Sequence, residues 1–569
     1  MRAKYGIMDY RQIIVDSIKG DYDKDELLSL VAVPKDTAMA DLCIPCFKLA
    51  KQLKKSPMAI AQEMAQSVDK GEMIASVQAV AGFVNFKFDN MRYGKKVLED
   101  VIAKGEDYGA SDEGKGKTVC IDFSSVNIAK PFHMGHMLNT SIGAAIYRTY
   151  AKLGYKVVGI NHLGDWGTQF GKLIVAYKLW GNKEDIDARG VRGLLDIYVK
   201  FHKEAESNPA LEDEARAWFK AIEDGNKEAL ELFNYFKEIT LKEVGKVYDR
   251  LHVKFDSYAG ESFYNDKMQP VLDMLTEKGL LVESDGAKVV RFDESENMPP
   301  CLLQRSDGAT LYATRDMAAA FYRKKTYDFD KCLYVVAYQQ NLHFRQLFKV
   351  LEMAGCEWSK DMVHVAHGMV SLENGSMSTR EGNVVFLQDV LDTAVAKAKE
   401  VIDSKNPDLA DKDDTAEKVG VGAVIFGMLY NGRIKDIVFS FDKVLNFDGE
   451  TGPYVQYTYA RCNSLFDKCG QIGNEIDYKG IDNDESKDIV RLLEKYPEVI
   501  KESARKYEPS IITRYAVDLA QAFNKFYFEH KINGEAEGVK NARLMLTQAV
   551  RQVLSNALGL LGIATPAKM

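Results

Sequence analysis

The order of patterns along the chain predicts an α/β protein. At its centre is a doubly wound, Rossmann-type parallel sheet with an insertion, flanked by an α+β N-terminal domain and an all-α helical C-terminal domain. Four short apolar runs, 118–123, 157–161, 332–337 and 363–367, are separated by helical patterns, as parallel strands with crossover helices are. The stretch 543–561 carries apolar residues at helical spacing, which marks the last third as helical. A chain of 569 residues exceeds one core, so several domains are expected.

The first region, 1–115, combines amphipathic helices at 42–53 and 57–68 with strands across 74–88, and the Gly- and Lys-rich stretch 105–117 closes it as a linker. The second, 116–395, holds the four strands, with a polar, helical insertion at about 176–289. The third, 396–569, is helical. No apolar run is long enough to span a bilayer, and the segment 1–9 lacks the apolar core of a signal peptide, so a cytoplasmic protein is expected. A net charge of −8 argues against a wholly basic surface but leaves room for a local positive path to RNA, with Lys51, Lys54, Lys55, Lys324 and Lys325 as candidates beside an ordinary solvated role. The 8 cysteines are too dispersed for a disulfide scaffold. Cys43-x-x-Cys46 lacks a second pair for zinc and reads as helix core, so no metal ligand is assigned.

The most informative string is Asp122-Phe-Ser-Ser-Val-Asn-Ile-Ala-Lys-Pro-Phe-His-Met-Gly-His136, between the first strand and a helix over 137–153. A helix start offers unpaired N–H groups and a partial positive charge. Pro131 suits the first turn, Gly135 lets a ligand approach the backbone, and His133, His136 and Lys130 add donors, so the site is shaped for a triphosphate. Ser125 to His136 resembles the nucleotide-binding signature of class I aminoacyl-tRNA synthetases, in the form found in the arginyl-tRNA synthetase family. That resemblance implies that arginine and ATP react to arginyl-adenylate and pyrophosphate, and that arginine then passes to the 3′ end of tRNA(Arg). It also implies ATP as substrate, Mg²⁺ with it, and a monomer.

Such a reaction asks the protein to position two reactants and stabilise charge on the phosphates. His133 and His136 suit that work. A second signature is expected near the end of the nucleotide fold, and Gly375-Ser-Met-Ser-Thr-Arg-Glu-Gly-Asn383 resembles the KMSKS loop. It departs from that pattern, with Ser376 and Thr379 at the lysine positions and Arg380 following. The resemblance therefore assigns the missing cation to Lys130, assisted by Arg380, with Met377 and Ser378 near ATP. Gly368-Met369-Val370 matches the segment that holds adenine by backbone hydrogen bonds, and strand-end packing is its alternative reading.

A guanidinium is planar, always charged and has five donors, so its pocket needs carboxylates and other acceptors. Family positions fall on Asp122, Tyr312, Asp316 and Gln340 for the side chain, and on Ser125 and Asn127 for the α-amino and carboxylate end. His162 and Asp165, in the Gly-rich turn 161–171, could reach the site, while Trp166 and Phe170 suit packing. The resemblance also implies tRNA contacts: Phe83 and Asn85 at the elbow, and Tyr454, Tyr457 and Met569 in the helical region. Packing is the alternative for each aromatic. Two other readings remain, a tRNA-free adenylate-forming ligase and a catalytically silent tRNA binder, and nucleotide binding separates them.

Overall fold

The computed structural model describes residues 10–36, 39–306, 308, 311–373 and 385–569. They form two compact units: 1–110 with 461–497 and 518–556, and 111–460 with 498–517 and 557–569. The helical third of the chain thus contributes to both.

In the first unit, β1 (Leu42–Pro45), β2 (Ile74–Val80) and β3 (Phe83–Phe88) make an antiparallel sheet in the order β1-β3-β2. Ala81 and Gly82 both have positive φ, 49° and 82°, as the two-residue turn of a tight hairpin requires. Along β3, Val84, Phe86 and Phe88 are buried, so Phe83, Asn85 and Lys87 lie on the other face. The helix expected over 42–53 is instead a strand followed by a helix at Phe47–Leu53. Pairing of Leu42 with Phe86 and of Ile44 with Val84 takes the first four residues into the sheet. Cys43 is buried as expected, but in a strand. Helices of the later segments belong to this unit: Arg491 pairs with Asp41 at 2.6 Å, and the Tyr108 hydroxyl donates to Leu493 O at 2.9 Å.

The second unit is built on four parallel strands: β4 (Thr118–Asp122), β5 (Lys156–Ile160), β9 (Lys331–Ala337) and β10 (Met362–His367), in the order β10-β9-β4-β5. All four expected strands are present, each within one residue at its start. Val119, Cys120 and Ile121 are fully buried, as a strand covered on both faces must be. After β5 the chain crosses to the other side of β4, so the order reverses between β4 and β9, and the carboxyl ends there open a crevice. Helices fill much of 183–277, and a three-stranded antiparallel sheet follows: β6 (Leu281–Ser284), β7 (Ala287–Val290) and β8 (Cys301–Gln304). The sequence pattern did not separate β6 to β8 from the helical insertion. A parallel pair, β11 (Val370–Leu372) and β12 (Ile437–Phe439), lies beyond β10. Among the described residues no helix is long and apolar enough to cross a membrane.

Candidate active site

The crevice begins where β4 ends. Ser124, Ser125 and Ala129 all have positive φ, at 69°, 46° and 59°. Such conformations are costly for side-chain-bearing residues and persist only where neighbours hold them. The holders are visible. Asn139 Oδ1 accepts from Ser124 N at 2.6 Å, and Ser124 Oγ is 2.6 Å from the Tyr248 hydroxyl. Ser125 Oγ donates to Asp122 Oδ1 at 2.8 Å, and Thr240 Oγ1 accepts from Ala129 N at 2.9 Å. Tyr248 and Thr240 belong to the insertion helix Lys227–Arg250, so the insertion braces the signature loop.

The helix Met134–Lys152 starts at the end of that loop, three residues earlier than expected, with His133 as its cap. Gly135 N donates to His133 Nδ1 and His133 N donates to His136 Nδ1, each at 3.1 Å. Both Nδ1 atoms are acceptors, so each neutral ring carries its proton on Nε2. Burial lowers the His133 imidazole below its usual range, and burial with the neighbouring His133 pushes His136 down to about 3. The pair therefore presents neutral N–H donors. A side chain at Gly135 would meet the His133 ring at 3.0 Å, which explains the glycine between them. Lys130 is exposed and makes no ion pair among the described residues. Arg380, Met377 and Ser378 lie outside the described residues.

Gly368 and Met369 require a correction, because their backbone N–H groups are not free. Gly368 N donates to Arg433 O at 2.8 Å, and Met369 N donates to Asp436 Oδ1 at 2.7 Å. The cause is the segment leading into β12, which approaches so closely that a Cβ on Gly368 would lie 2.2 Å from Lys435 O.

Asp122 also differs from expectation. It is not an open carboxylate: Arg323, 1% exposed, reaches its Oδ2 at 2.7 Å. A carboxylate buried at a strand end needs a cation, and Arg323 supplies it from the helix Tyr312–Tyr327. Nε and Nη1 of Arg323 and the hydroxyl of Tyr334 have no hydrogen-bond partner among the described residues. Asp316, two turns before Arg323, accepts from His343 Nε2 at 2.6 Å. Burial alone would raise the Asp316 carboxyl, but that hydrogen bond and the charges of His343, His162 and Arg323 hold it below its usual range. Arg315, next to Asp316 in the chain, donates to Glu261 O at 2.8 Å.

Glu261 has no motif to announce it. Burial raises its carboxyl to about 7, against the pull of Arg315 and with the push of Asp165 and Asp316. Glu261 thus lies close enough to Asp165 and Asp316 to feel their charge. Asp165, fully buried, is saturated by Lys237 and by Ser262 N and Oγ at 2.7–2.8 Å, and His162 stacks on Tyr264. Tyr312, at 72%, and Gln340 are exposed, and Asn127 is exposed beside Gly164. Trp166 and Phe170 pack edge-on against Phe219 and Phe233, as anchors of the turn.

In the first unit Phe83 and Asn85 are partly exposed on β3, and in the second Tyr457 is 40% exposed on the helix Gly452–Cys469, where Tyr454 is partly buried. Met569 packs against Ala398, Val419, Ala423 and Leu445. The first unit also exposes Tyr527 and Phe528 at 36% and 87%, residues that a helical apolar pattern hides among core positions.

Comparison with known proteins places these features together. The class I arginine-type tRNA synthetase catalytic domain matches residues 97–441, the DALR anticodon binding domain 455–569, and the arginyl tRNA synthetase N terminal domain 8–88. The arginine--tRNA ligase of Alkaliphilus metalliredigens is 50% identical, over 96% of each chain. That of Clostridioides difficile is 50% identical over 99% of this chain and 100% of its own. Among solved structures, the Thermus thermophilus arginyl-tRNA synthetase superposes with a TM-score of 0.79 at 26% identity, covering 95% of this chain and 96% of that one. The Plasmodium falciparum arginyl-tRNA synthetase shares the fold, with a TM-score of 0.76 at 23% identity over 98% and 97% of the two chains.

Proposed function

This chain belongs to the arginyl-tRNA synthetase family and ligates arginine to its tRNA with ATP as co-substrate, and from that premise we propose how its residues divide the work. His133 and His136 donate Nε2–H to the triphosphate as the arginine carboxylate attacks the α-phosphorus and pyrophosphate leaves. Preorganised neutral donors suit this, because they stabilise developing charge without first losing a proton. Lys130, exposed at the end of the strained loop, brings the cation that the second signature lacks, with Arg380 assisting. Gly135 leaves room for the phosphates, whose oxygens would hold Mg²⁺, and the family resemblance assigns Met377 and Ser378 to ATP. The segment Gly368 to Val370 takes the adenine against its apolar flanks.

Asp316 and Glu261 bind the guanidinium, with Tyr312 and Gln340 at the rim, while Ser125 and Asn127 hold the α-amino and carboxylate end. Asp122 acts by holding Ser125. Phe83 and Asn85 meet the tRNA elbow, and Tyr454, Tyr457 and Met569 the anticodon side. The three regions 1–115, 116–395 and 396–569 serve elbow, chemistry and anticodon in turn, in a cytoplasmic monomer. The carrying observation is the His133–His136 pair, neutral and locked, with neither Nε2–H bonded to another group among the described residues. Its test is ATP–pyrophosphate exchange with tRNA(Arg) present. Lys130→Ala is expected to lower arginine-dependent exchange by about 10²-fold with unchanged thermal unfolding. Near-normal exchange in that variant would remove Lys130 from the phosphate site.

A further inference from the structure

The insertion reaches the paired histidines by a second route. Its helix Val191–Ser207 begins at Gly190, where φ is 61°. Glu243 fixes that start, because its Oε2 accepts from Val191 N at 2.8 Å. Glu243 lies on the helix Lys227–Arg250, which also carries Thr240 and Tyr248. The helix start in turn sets Arg192. The guanidinium carbon of Arg192 lies 3.8 Å from the centre of the Phe386 ring. Its Nη2 reaches Asp389 Oδ1 and Oδ2 at 2.7 and 2.6 Å. That ion pair is about half exposed, so it holds little by itself. The ring contact is different, since Phe386 is only 6% exposed. A cation over an aromatic face is favourable, and a planar guanidinium also covers the ring.

Phe386 is tied to the cap of the signature helix. Its backbone forms an isolated antiparallel bridge with His133, and Leu387 N donates to Phe132 O at 2.8 Å. The Phe132 ring stacks on His136, with centroids 5.1 Å apart at 29°, and meets Tyr248 edge-on at 5.6 Å. The two donor rings thus have two supports besides their own capping bonds: Tyr248 against the Phe132 ring, and Phe386 along the Phe132–His133 backbone. Tyr248 is locked by hydrogen bonds with Ser124 and Asn161 at 2.6 and 2.9 Å. The Phe386 ring has only its packing, and Arg192 forms one face of it.

We infer that Arg192 is a positioning residue for the phosphate donors. Its grip on Phe386 sets the Phe132–His133 backbone, and so the aim of the His133 Nε2–H and, through the bond from His133 N, that of His136. The inference rests on the reading of the two histidines as donors to the triphosphate, and its test separates the two. Donors aimed at the transition state act on kcat more than on KM. Arginine-dependent ATP–pyrophosphate exchange, with tRNA(Arg) present, is measured for Arg192→Ala, Arg192→Lys, Phe386→Leu, His133→Ala and the double variant of Arg192→Ala with His133→Ala. A misplacement of about 1 Å can cost about 10²-fold, so Arg192→Ala is expected to lower kcat about thirtyfold and to leave the KM values for arginine and tRNA(Arg) within about twofold. Arg192→Lys, which keeps a cation over the ring, should recover to within about threefold of the parent. Phe386→Leu, which fills the core but offers no ring face, should lose a factor like that of Arg192→Ala, and it carries the test if Arg192→Ala melts early. In the His133→Ala background Arg192→Ala should cost no more than about fivefold, because the donor it aims is gone. A full thirtyfold loss in that background would overturn the inference. So would a raised tRNA KM with kcat intact, which would make Arg192 a tRNA contact. If His133→Ala is impaired while Arg192→Ala is not, the donor reading stands and the inference falls. If His133→Ala keeps near-normal exchange, both fall.

Discussion

Glu261 is the residue whose chemistry depends most on its surroundings. Burial beside Asp165 and Asp316 raises its carboxyl to about 7 in spite of Arg315. A guanidinium seated there needs the anion, so below that value arginine binding must first expel a proton. The arginine KM is expected to rise as pH falls from about 8 to 6, and Glu261→Gln to flatten that slope while raising the KM at pH 8. The folding sign follows from the same shift. The folded protein binds the proton more tightly than the unfolded chain, so stability falls as pH rises from the unfolded value of 4.5 through about 7. Glu261→Gln should therefore unfold at a higher temperature than the parent at pH 8. Arg323 shows the opposite dependence: Arg323→Met strands a buried Asp122, and a loss of about 3–5 kcal/mol by denaturant titration is expected. The two histidines and the glycine between them were legible in the sequence because a helix start and its cap are local. Glu261 and Arg323 were not, since each gains its role from groups far away in the chain.

Among the elements, the helix Met134–Lys152 packs closely on Phe123, the residue that follows β4. A Cβ on Gly143 would lie 2.2 Å from Phe123 Cγ, so Gly143→Ala should push the helix start from the strand end. A cost of about 1–3 kcal/mol in unfolding free energy is expected. Because His133 and His136 sit on that helix, kcat should fall more than either KM changes; a fall in stability with kcat intact would separate helix packing from catalysis. The four parallel strands were legible because buried parallel strands are short apolar runs whatever surrounds them. The segment 42–53 was misread because Leu42, Ile44 and Phe47 fit a helical stripe and a strand equally, and pairing with β3 decides between them. The bracing of the signature loop by Tyr248 and Thr240 was likewise hidden, since a hydroxyl on a helix resembles any other until its partner is placed.

At the scale of the molecule, a chain of net charge −8 that binds a polyanion must do so through local cationic paths. Raising salt from about 50 to 200 mM should raise the tRNA KM about tenfold or more and leave the arginine KM within about twofold. A tRNA KM insensitive to salt would mean that aromatic and amide contacts dominate. The first unit has a further consequence, which concerns the ribosome. Its N-terminal sheet is joined to helices made much later: Asp41 waits for Arg491, 450 residues downstream, and Tyr93 for Glu494, 401 residues downstream. At about 5–20 residues per second, that partner emerges roughly 20–90 seconds later. Through that interval the opening segment leaves the exit tunnel with a face prepared for helices that do not yet exist. Its protection during synthesis falls to whatever occupies that face in the meantime, so pausing late in the message prolongs the exposure of its beginning.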